Sequence, residues 1–173
     1  MIQSSQLSGT LDFFDIYKNC GISLVGLEYL LVLGRAEPEN NFEIIIQAFC
    51  SIRASYHNLT LLIVSNVTKT AHGAYLYERY AAAAGVCFVL PEYDWRIVKC
   101  IRRNAMAYIH GHSAGGTNPS LVEAVAAAKP IFAFDVPYNR YTTAGLVVYF
   151  SSASSLLSSL EIFCDQGLDS VTQ

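Results

Sequence analysis

The stretch that most constrains the fold of this chain is residues 105–129, where an apolar run, a glycine-rich loop and a helix pattern follow one another. Residues 105–109 have the length and composition of a strand buried on both faces of a parallel sheet. Three glycines lie within residues 110–117. Asn118 is a good N-cap, and Pro119 suits the first helical position because its missing N–H needs no partner there. The apolar residues that follow recur at helical spacing, and a Lys-Pro pair ends the pattern.

The order of these elements predicts a site for an anion. A helix N-terminus carries unpaired N–H groups and the positive end of the helix dipole, and glycines before it let the backbone approach an anion closely. We therefore expect a phosphate or diphosphate to lie against Gly115, Gly116, Thr117 and Asn118. Glu123 follows just over one turn into the helix, where its carboxylate can accept hydrogen bonds from a ribose. An ordinary strand–helix connection with a surface glutamate has the same pattern, so the loop alone leaves both interpretations open.

The rest of the chain also alternates between strand and helix patterns. We predict six strands, at residues 28–34, 59–65, 86–90, 105–109, 130–134 and 146–150. We predict helices at residues 42–54, 71–84, 95–104, 119–129 and 153–163, with Asn41 and Asp94 as N-caps and a polar loop at residues 135–143. This alternation indicates an α/β fold with right-handed crossovers, namely a single Rossmann-like domain on a doubly wound, mostly parallel six-stranded sheet.

Three motifs, in a fixed order, resemble those of a known family. They are LGRAEPENN at residues 33–41, HGHSAGGTNPSLVEA at residues 110–124 and FDVPYNR at residues 134–140. The second strongly resembles the nucleotide-binding stretch of retaining glycosyltransferases with the GT-B fold, in which two Rossmann-like domains face each other across a cleft. The sequence looks closest to the rhamnosyltransferase-like members that build bacterial capsule and surface polysaccharides. The resemblance covers about residues 28–163.

The resemblance implies a domain organisation. Residues 28–165 correspond to the donor-nucleotide-sugar-binding domain, which is one half of a GT-B fold. Residues 1–27 are then the remnant of a connection to a missing N-terminal domain, and residues 166–173 form a tail. Because the N-terminal domain binds the acceptor in this family, we expect a chain of this length to bind a donor but to transfer its sugar poorly.

The resemblance also implies roles for single residues. Arg35 matches a diphosphate-binding arginine, and Glu123 matches a glutamate that holds the nucleotide ribose. Asn40 stands where many relatives have a lysine, so it can donate hydrogen bonds to a phosphate but cannot neutralise its charge. Without the resemblance, Arg35 is better explained as a solvated or salt-bridged loop residue.

Two further loops are expected to approach the donor. In relatives the loop after the third strand lies against the nucleobase, so Leu90 and Tyr93 are candidates, with Tyr93 stacking on the base. Packing of Tyr93 on its own helix is an equal alternative. The loop after the fifth strand is expected to place Asn139 and Arg140 over the sugar-nucleotide site, although an ordinary loop has the same turn residues.

One position departs from the family pattern. Relatives usually carry two glutamates separated by seven residues, and Gly115 stands where the first, which approaches the donor sugar, is expected. The catalytic residues are therefore unknown, with His110 and Ser113 as the nearest candidates. His110 and His112 lack a third ligand close by in the sequence, so we expect no metal, and no cofactor besides the nucleotide sugar that serves as substrate. A polar role facing the sugar or phosphate and a structural imidazole bonded to the backbone remain open for each histidine.

Composition narrows the partners and the location. A net charge of −3 and 14% charged residues give no electrostatic reason to expect a nucleic acid. Residues 1–10 show no signal peptide, and the most apolar window, residues 21–33, is too short to span a bilayer. The five scattered cysteines fit reduced thiols. We expect a cytoplasmic protein, with the full enzyme able to associate peripherally with the inner face of the membrane.

The expected function is the donor-binding half of a glycosyltransferase. The resemblance implies transfer of a sugar, with rhamnose as a candidate, from a UDP- or dTDP-sugar to a polysaccharide or lipid-linked acceptor. Three alternatives remain: a stand-alone nucleotide-sugar-binding module without transferase activity, an interaction domain with a vestigial pocket, and a sugar-nucleotide epimerase. The sequence lacks the usual GxGxxG, GxSxG and P-loop fingerprints, which argues against NAD binding and against a serine hydrolase.

Overall fold

The computed structural model describes Leu24 and residues 26–166, and its centre is a six-stranded sheet. The strands are β1 (Tyr29–Leu33), β2 (Thr60–Val64), β3 (Val86–Val89), β4 (Ala107–His110), β5 (Ile131–Phe134) and β6 (Val148–Phe150). Their order in the sheet is β3-β2-β1-β4-β5-β6, and every neighbouring pair is parallel. The predicted α/β class and the parallel six-stranded sheet are therefore confirmed.

Six helices connect and follow these strands. They are α1 (Phe42–Ile52), α2 (Ala71–Tyr80), α3 (Trp95–Asn104), α4 (Pro119–Ala126), α5 (Pro137–Thr142) and α6 (Ala153–Gln166), with short 3-10 turns at Pro38–Asn40 and Val67–Lys69. No helix in the described part of the chain combines the length and apolar character needed to cross a bilayer. Most of the predicted N-terminal segment, residues 1–27, and of the predicted tail, residues 166–173, lies outside the described residues.

The sheet is buried on both faces, which accounts for a hydrophobic content of 53%. Leu30 and Val32 of β1 pack on one face with side chains of α1 and α6. Tyr29 and Leu31 pack on the other face with side chains of α3 and α4. The helices that follow the neighbouring strands β1 and β4 thus lie on opposite faces. This arrangement opens a crevice at the carboxyl ends of β1 and β4, where open α/β sheets bind ligands.

Two of the three predicted N-caps are confirmed. The carboxylate of Asp94 accepts from the backbone N–H of Arg96, and Asn118 caps α4 through the N–H of Ser120. The prediction for Asn41 is wrong, because this residue adopts a left-handed conformation with φ of 51° and its side chain makes no cap bond. Its side-chain amide instead donates to the carbonyl of Gly111, just after β4. Local sequence rules do not include such a tertiary contact.

The predicted polar loop at residues 135–143 is also wrong, since it contains α5. Pro137 occupies the start of this helix, where proline is favoured, and the N–H of Arg140 donates to the carbonyl of Val136. The composition of this segment is typical of turns. The side-chain amide of Asn139 nevertheless donates to the carbonyls of His112 and Phe134 outside the helix, so it does not compete for the backbone of the helix.

Candidate functional site

The candidate site is formed by two loops that meet at the crevice between β1 and β4. The first loop, residues 34–41, follows β1, and the glycine loop, residues 111–118, follows β4. Both leave the carboxyl ends of adjacent parallel strands, so the topology alone brings them side by side. The sequence separates them by about seventy residues, and their contacts are therefore a product of the fold.

Backbone contacts lock the two loops together. An ideal Cβ at Gly111 would lie 2.0 Å from the carbonyl oxygen of Asn40, so only glycine lets the loops approach this closely. Ser113 donates both its backbone N–H and its hydroxyl to the carbonyl of Glu39, at 2.7 and 2.9 Å. The Ser113 hydroxyl, predicted as a candidate near the donor sugar, is thus engaged in holding the first loop.

The two asparagines of the first loop complete this junction. The amide of Asn41 donates to the carbonyl of Gly111 at 2.8 Å. The amide of Asn40 donates to the carbonyl of Arg35 at 2.8 Å, and its oxygen accepts from Nδ1 of His112 at 2.8 Å. Asn40 therefore links the backbone of Arg35 to the ring of His112. The side chain of Arg35 is exposed.

The glycine loop presents open backbone to the solvent before α4. Gly115 has a φ of +86°, a conformation that side-chain-bearing residues rarely adopt, and a Cβ at Gly116 would meet nothing within 4 Å. Gly115, Gly116 and Thr117 are all exposed, and Asn118 caps the helix behind them. The turn is therefore exposed at the place where the sequence predicts an anion, and the anion site itself stays a prediction.

A cavity of about 690 Å³ lies between α3 and α4, beside the segment that follows β3. Its wall includes the predicted residues Tyr93, Asn118 and Glu123, together with Arg102 and Ser120. This volume is within the range of pockets that enclose small molecules of nucleotide size. Tyr93 is 84% exposed, so most of its side chain is accessible to a ligand.

Arg102 is a residue of this site that the sequence reasoning missed. It is only 5% exposed, and its Nη2 donates to Oε2 of Glu123 at 2.8 Å and to the hydroxyl of Ser120 at 2.9 Å. Its guanidinium also lies over the ring of Tyr108, 5.3 Å from the centroid. Its spacing from Val98, four residues earlier, places both on one helix face but does not single it out among the four basic residues of α3.

The hydrogen bonds continue from Ser120 into the sheet. The hydroxyl of Tyr108 lies 3.0 Å from that of Ser120, 3.2 Å from Nδ1 of His110 and 3.3 Å from the carbonyl oxygen of Leu33. A guanidinium can only donate, so Arg102 donates to Ser120, which is then free to donate to Tyr108. The network therefore runs from the cavity to the carboxyl ends of β1 and β4.

His110 is buried behind the glycine loop. It is 3% exposed, and its Nε2 has no hydrogen-bond partner among the described residues. Burial lowers the pKa of His110 to about 4, with smaller contributions from His112 and Arg102. The imidazole is therefore neutral near pH 7. His110, a catalytic candidate in the sequence analysis, is thus buried behind the loop with Nδ1 beside the hydroxyl of Tyr108.

The residues expected from the third motif lie apart from the cavity wall. Asn139 is 1% exposed and donates to the carbonyls of His112 and Phe134, both at 2.9 Å, so it supports the glycine loop from inside. Arg140 is exposed, forms a two-pronged ion pair with Asp135 and lies 4.2 Å from the ring centroid of Tyr149. Neither residue is among those that line the cavity.

The sequence comparison identifies a family. Residues 23–157 match the family described as glycosyl transferases group 1. No curated protein sequence matches the chain. Among the residues that the structure describes, no cluster of three or more His, Cys, Asp or Glu side chains is arranged to hold a metal ion.

Solved structures share the fold at low sequence identity. An α,α-trehalose-phosphate synthase (UDP-forming) from Burkholderia vietnamiensis has a TM-score of 0.70 and 9% identity, over 91% of this chain and 41% of that one. The pneumococcal O-GlcNAc transferase GtfA, in complex with UDP and GlcNAc, has a TM-score of 0.61 and 16% identity, over 83% of this chain and 30% of that one. The present chain thus spans less than half the length of either protein.

One of the solved structures is an isolated domain of similar length. The C-terminal domain of a glycosyl transferase group 1 family protein (LpcC) from Francisella tularensis has a TM-score of 0.66 and 10% identity. The alignment covers 84% of this chain and 80% of that domain. The Rossmann-like fold is therefore that of one domain found in larger GT-B proteins.

Proposed function

We propose that this chain, which belongs to the glycosyl transferases group 1 family, is the domain of a glycosyltransferase that binds the nucleotide diphosphate sugar. The observation that carries this proposal is the composition of one wall of the cavity. The first turn of α4, with its cap Asn118, and the carboxylate of Glu123 lie on that wall together. An anion-binding helix terminus beside a hydrogen-bond acceptor for hydroxyls suits a nucleoside diphosphate.

The proposed pose follows the cavity to Asn118 and continues beyond its lining onto the glycine loop. The nucleobase lies against Tyr93, the ribose hydroxyls donate to Glu123, and the diphosphate meets the N–H groups of Gly116 and Thr117. Arg35, exposed on the adjoining first loop, supplies the positive charge that Asn40 lacks. The open space beside Gly116 allows the backbone to approach the phosphate oxygens.

The proposed chemistry is stabilisation of the leaving diphosphate as the bond to the sugar breaks. Amide groups and a guanidinium aimed at developing negative charge lower the barrier without moving during the reaction. We further propose that the full enzyme retains the anomeric configuration, takes a UDP- or dTDP-sugar such as a rhamnose donor, and acts on a polysaccharide or lipid-linked acceptor at the cytoplasmic face of the membrane. The acceptor would be held by a second domain.

One observation favours a second candidate, a nucleotide-sugar-binding module without transferase activity. Gly115 stands where the family has its first glutamate, and its φ of +86° means that a glutamate side chain would be strained there. The contact that this carboxylate makes to the donor sugar is therefore missing from the loop. The nucleotide part of the site does not depend on it.

Calorimetric titration with UDP, dTDP and GDP tests the proposal. We expect the chain to bind one of them, and Glu123→Ala and Arg35→Ala each to weaken that binding by about 10-fold or more, as loss of a hydrogen bond to a charged group does. Glu78→Ala, which removes an exposed glutamate on α2, serves as the control and should leave the affinity unchanged. Lack of binding to all three nucleotides would contradict the proposal.

A transfer assay separates the two candidates. If a two-domain protein, in which this chain is joined to an acceptor-binding domain, binds the nucleotide sugar and releases its sugar to an acceptor, the transferase is supported. If it binds with the same affinity but neither transfers nor hydrolyses the sugar, the binding module is the correct interpretation.

A further inference from the structure

Arg102 is the only lysine or arginine that is buried among the residues that the structure describes. It comes from α3, yet both of its hydrogen-bond partners lie on α4, where Ser120 and Glu123 are one turn apart. The face of its guanidinium rests on Tyr108 of β4. The group is thus fixed between two helices and the sheet, at the wall of the cavity.

This arrangement is not explained by stability. Nε and Nη1 of Arg102 are buried without a hydrogen-bond partner in the described part of the chain. A buried cation with unpaired donors costs free energy, and apolar side chains of similar size usually serve a core as well or better. An apolar residue between α3 and α4 would therefore suffice if packing were the only need.

The effect of Arg102 is on the orientation of the Glu123 side chain. This side chain is 61% exposed although its Oε2 is held by a nearly buried partner. An exposed glutamate without such a partner has several rotamers, and fixing one of them at the moment of binding costs conformational entropy. The ion pair removes that cost in advance, and the carboxylate keeps lone pairs for further donors.

We infer that Arg102 is a positioning residue, which holds the Glu123 carboxylate in the one orientation that accepts ribose hydroxyls. The inference rests on the proposed function of the cavity and extends it, because recognition of the ribose then depends on α3 as well as on α4. Arg102 acts through Glu123 and is not assigned a contact with the ligand.

The test combines a protein variant with a ligand variant. UDP is compared with 2′-deoxy-UDP and 3′-deoxy-UDP in binding to the wild-type chain and to Arg102→Met. We expect that removing the ribose hydroxyl that donates to Glu123 weakens binding about 10-fold in the wild type and less than about 3-fold in Arg102→Met. A merely structural role for Arg102 would lower the affinity for all three ligands by the same factor, and that result would overturn the inference.

Arg96→Met is the matched control, because Arg96 is an exposed arginine of the same helix that is not in the cavity wall. It should keep the wild-type difference between UDP and its deoxy forms. Thermal unfolding of both variants without ligand confirms that they are folded.

A measurement without ligand keeps this inference separate from the proposed function. We expect NMR side-chain relaxation of Glu123 to report one rotamer in the wild type and several in Arg102→Met. If Glu123 already exchanges among rotamers in the wild type, the inference is wrong even if UDP binds. If the wild type shows one rotamer but binds no nucleotide, the proposed function fails and the ribose-positioning role fails with it, although Arg102 still fixes Glu123.

Discussion

The carbonyl oxygen of Asn40 occupies the space that a side chain at Gly111 would need, 2.0 Å from an ideal Cβ. Gly111 has no positive φ, so its requirement is one of space and not of backbone conformation. The contact brings the loop that carries Arg35 onto the loop that carries the amides of Gly116 and Thr117. The candidate phosphate site therefore depends on a backbone-to-backbone approach.

Gly111→Ala is expected to lower the free energy of unfolding by about 1–3 kcal/mol, as overpacking of a tight contact does. The added methyl group meets backbone that cannot rotate away, so the first loop must shift. Urea unfolding of the variant and the wild type measures the difference. Gly116→Ala is the control, because its Cβ meets nothing within 4 Å, and it should change stability by less than about 0.5 kcal/mol. Equal effects of the two variants would refute the role of this contact.

Asn139→Ala is expected to destabilise the fold by about 2 kcal/mol. The amide of Asn139 donates to the carbonyls of His112 and Phe134, and its removal leaves two buried acceptors without this partner. Asn58→Ala, at an exposed position, is the control and should be close to neutral. Chemical denaturation measures both. A loss below about 0.5 kcal/mol for Asn139→Ala would mean that water or a shifted side chain replaces its bonds.

His110 is expected to make stability depend on pH in the acid range. Its pKa is lowered from 6.5 to about 4 by burial, so between these values the unfolded chain binds a proton that the folded chain does not. Stability is therefore fully present above about pH 6.5 and falls as the pH decreases towards 4. The full difference is on the order of 3 kcal/mol.

The measurement is urea unfolding of the wild type and of His110→Gln at several pH values between about 4 and 7, which span the shifted and the ordinary pKa of the imidazole. The difference between the two proteins should grow steadily in favour of the variant as the pH falls. Parallel curves over this range would show that His110 is not protonated preferentially in the unfolded chain.

Asn40→Ala is expected to weaken nucleotide diphosphate binding about 5-fold if the proposed function is correct. The variant removes the bond to the carbonyl of Arg35 and the bond from His112, each worth about 1 kcal/mol at most when partly exposed. Calorimetry with the nucleotide that the wild type binds measures the effect. Unchanged affinity, with unchanged folding, would show that the orientation of Arg35 does not depend on Asn40.

Much of the fold was predictable because the relevant signals are local. Apolar runs indicated all six strands to within about two residues of their ends, and Asp94 and Asn118 were recognised as N-caps from their places before helix patterns. The α5 helix was missed because its residues favour turns when considered alone. Local rules also do not include the partners of Asn139, the carbonyls of His112 and Phe134, which lie outside the helix.

The sequence by itself determined the strands, most of the helices and the glycine loop before α4, since each depends on neighbours within a few residues, and the alternation of strands and helices indicated the α/β class and the parallel sheet. Only the tertiary structure decided which polar side chains support the site from inside. Asn41 meets Gly111 across 70 residues, and Arg102 meets Glu123 across 21. Such pairs depend on how helices pack on a sheet, which residue type and spacing do not specify. The physical reason is that a buried polar group takes whatever partner the packing brings within reach.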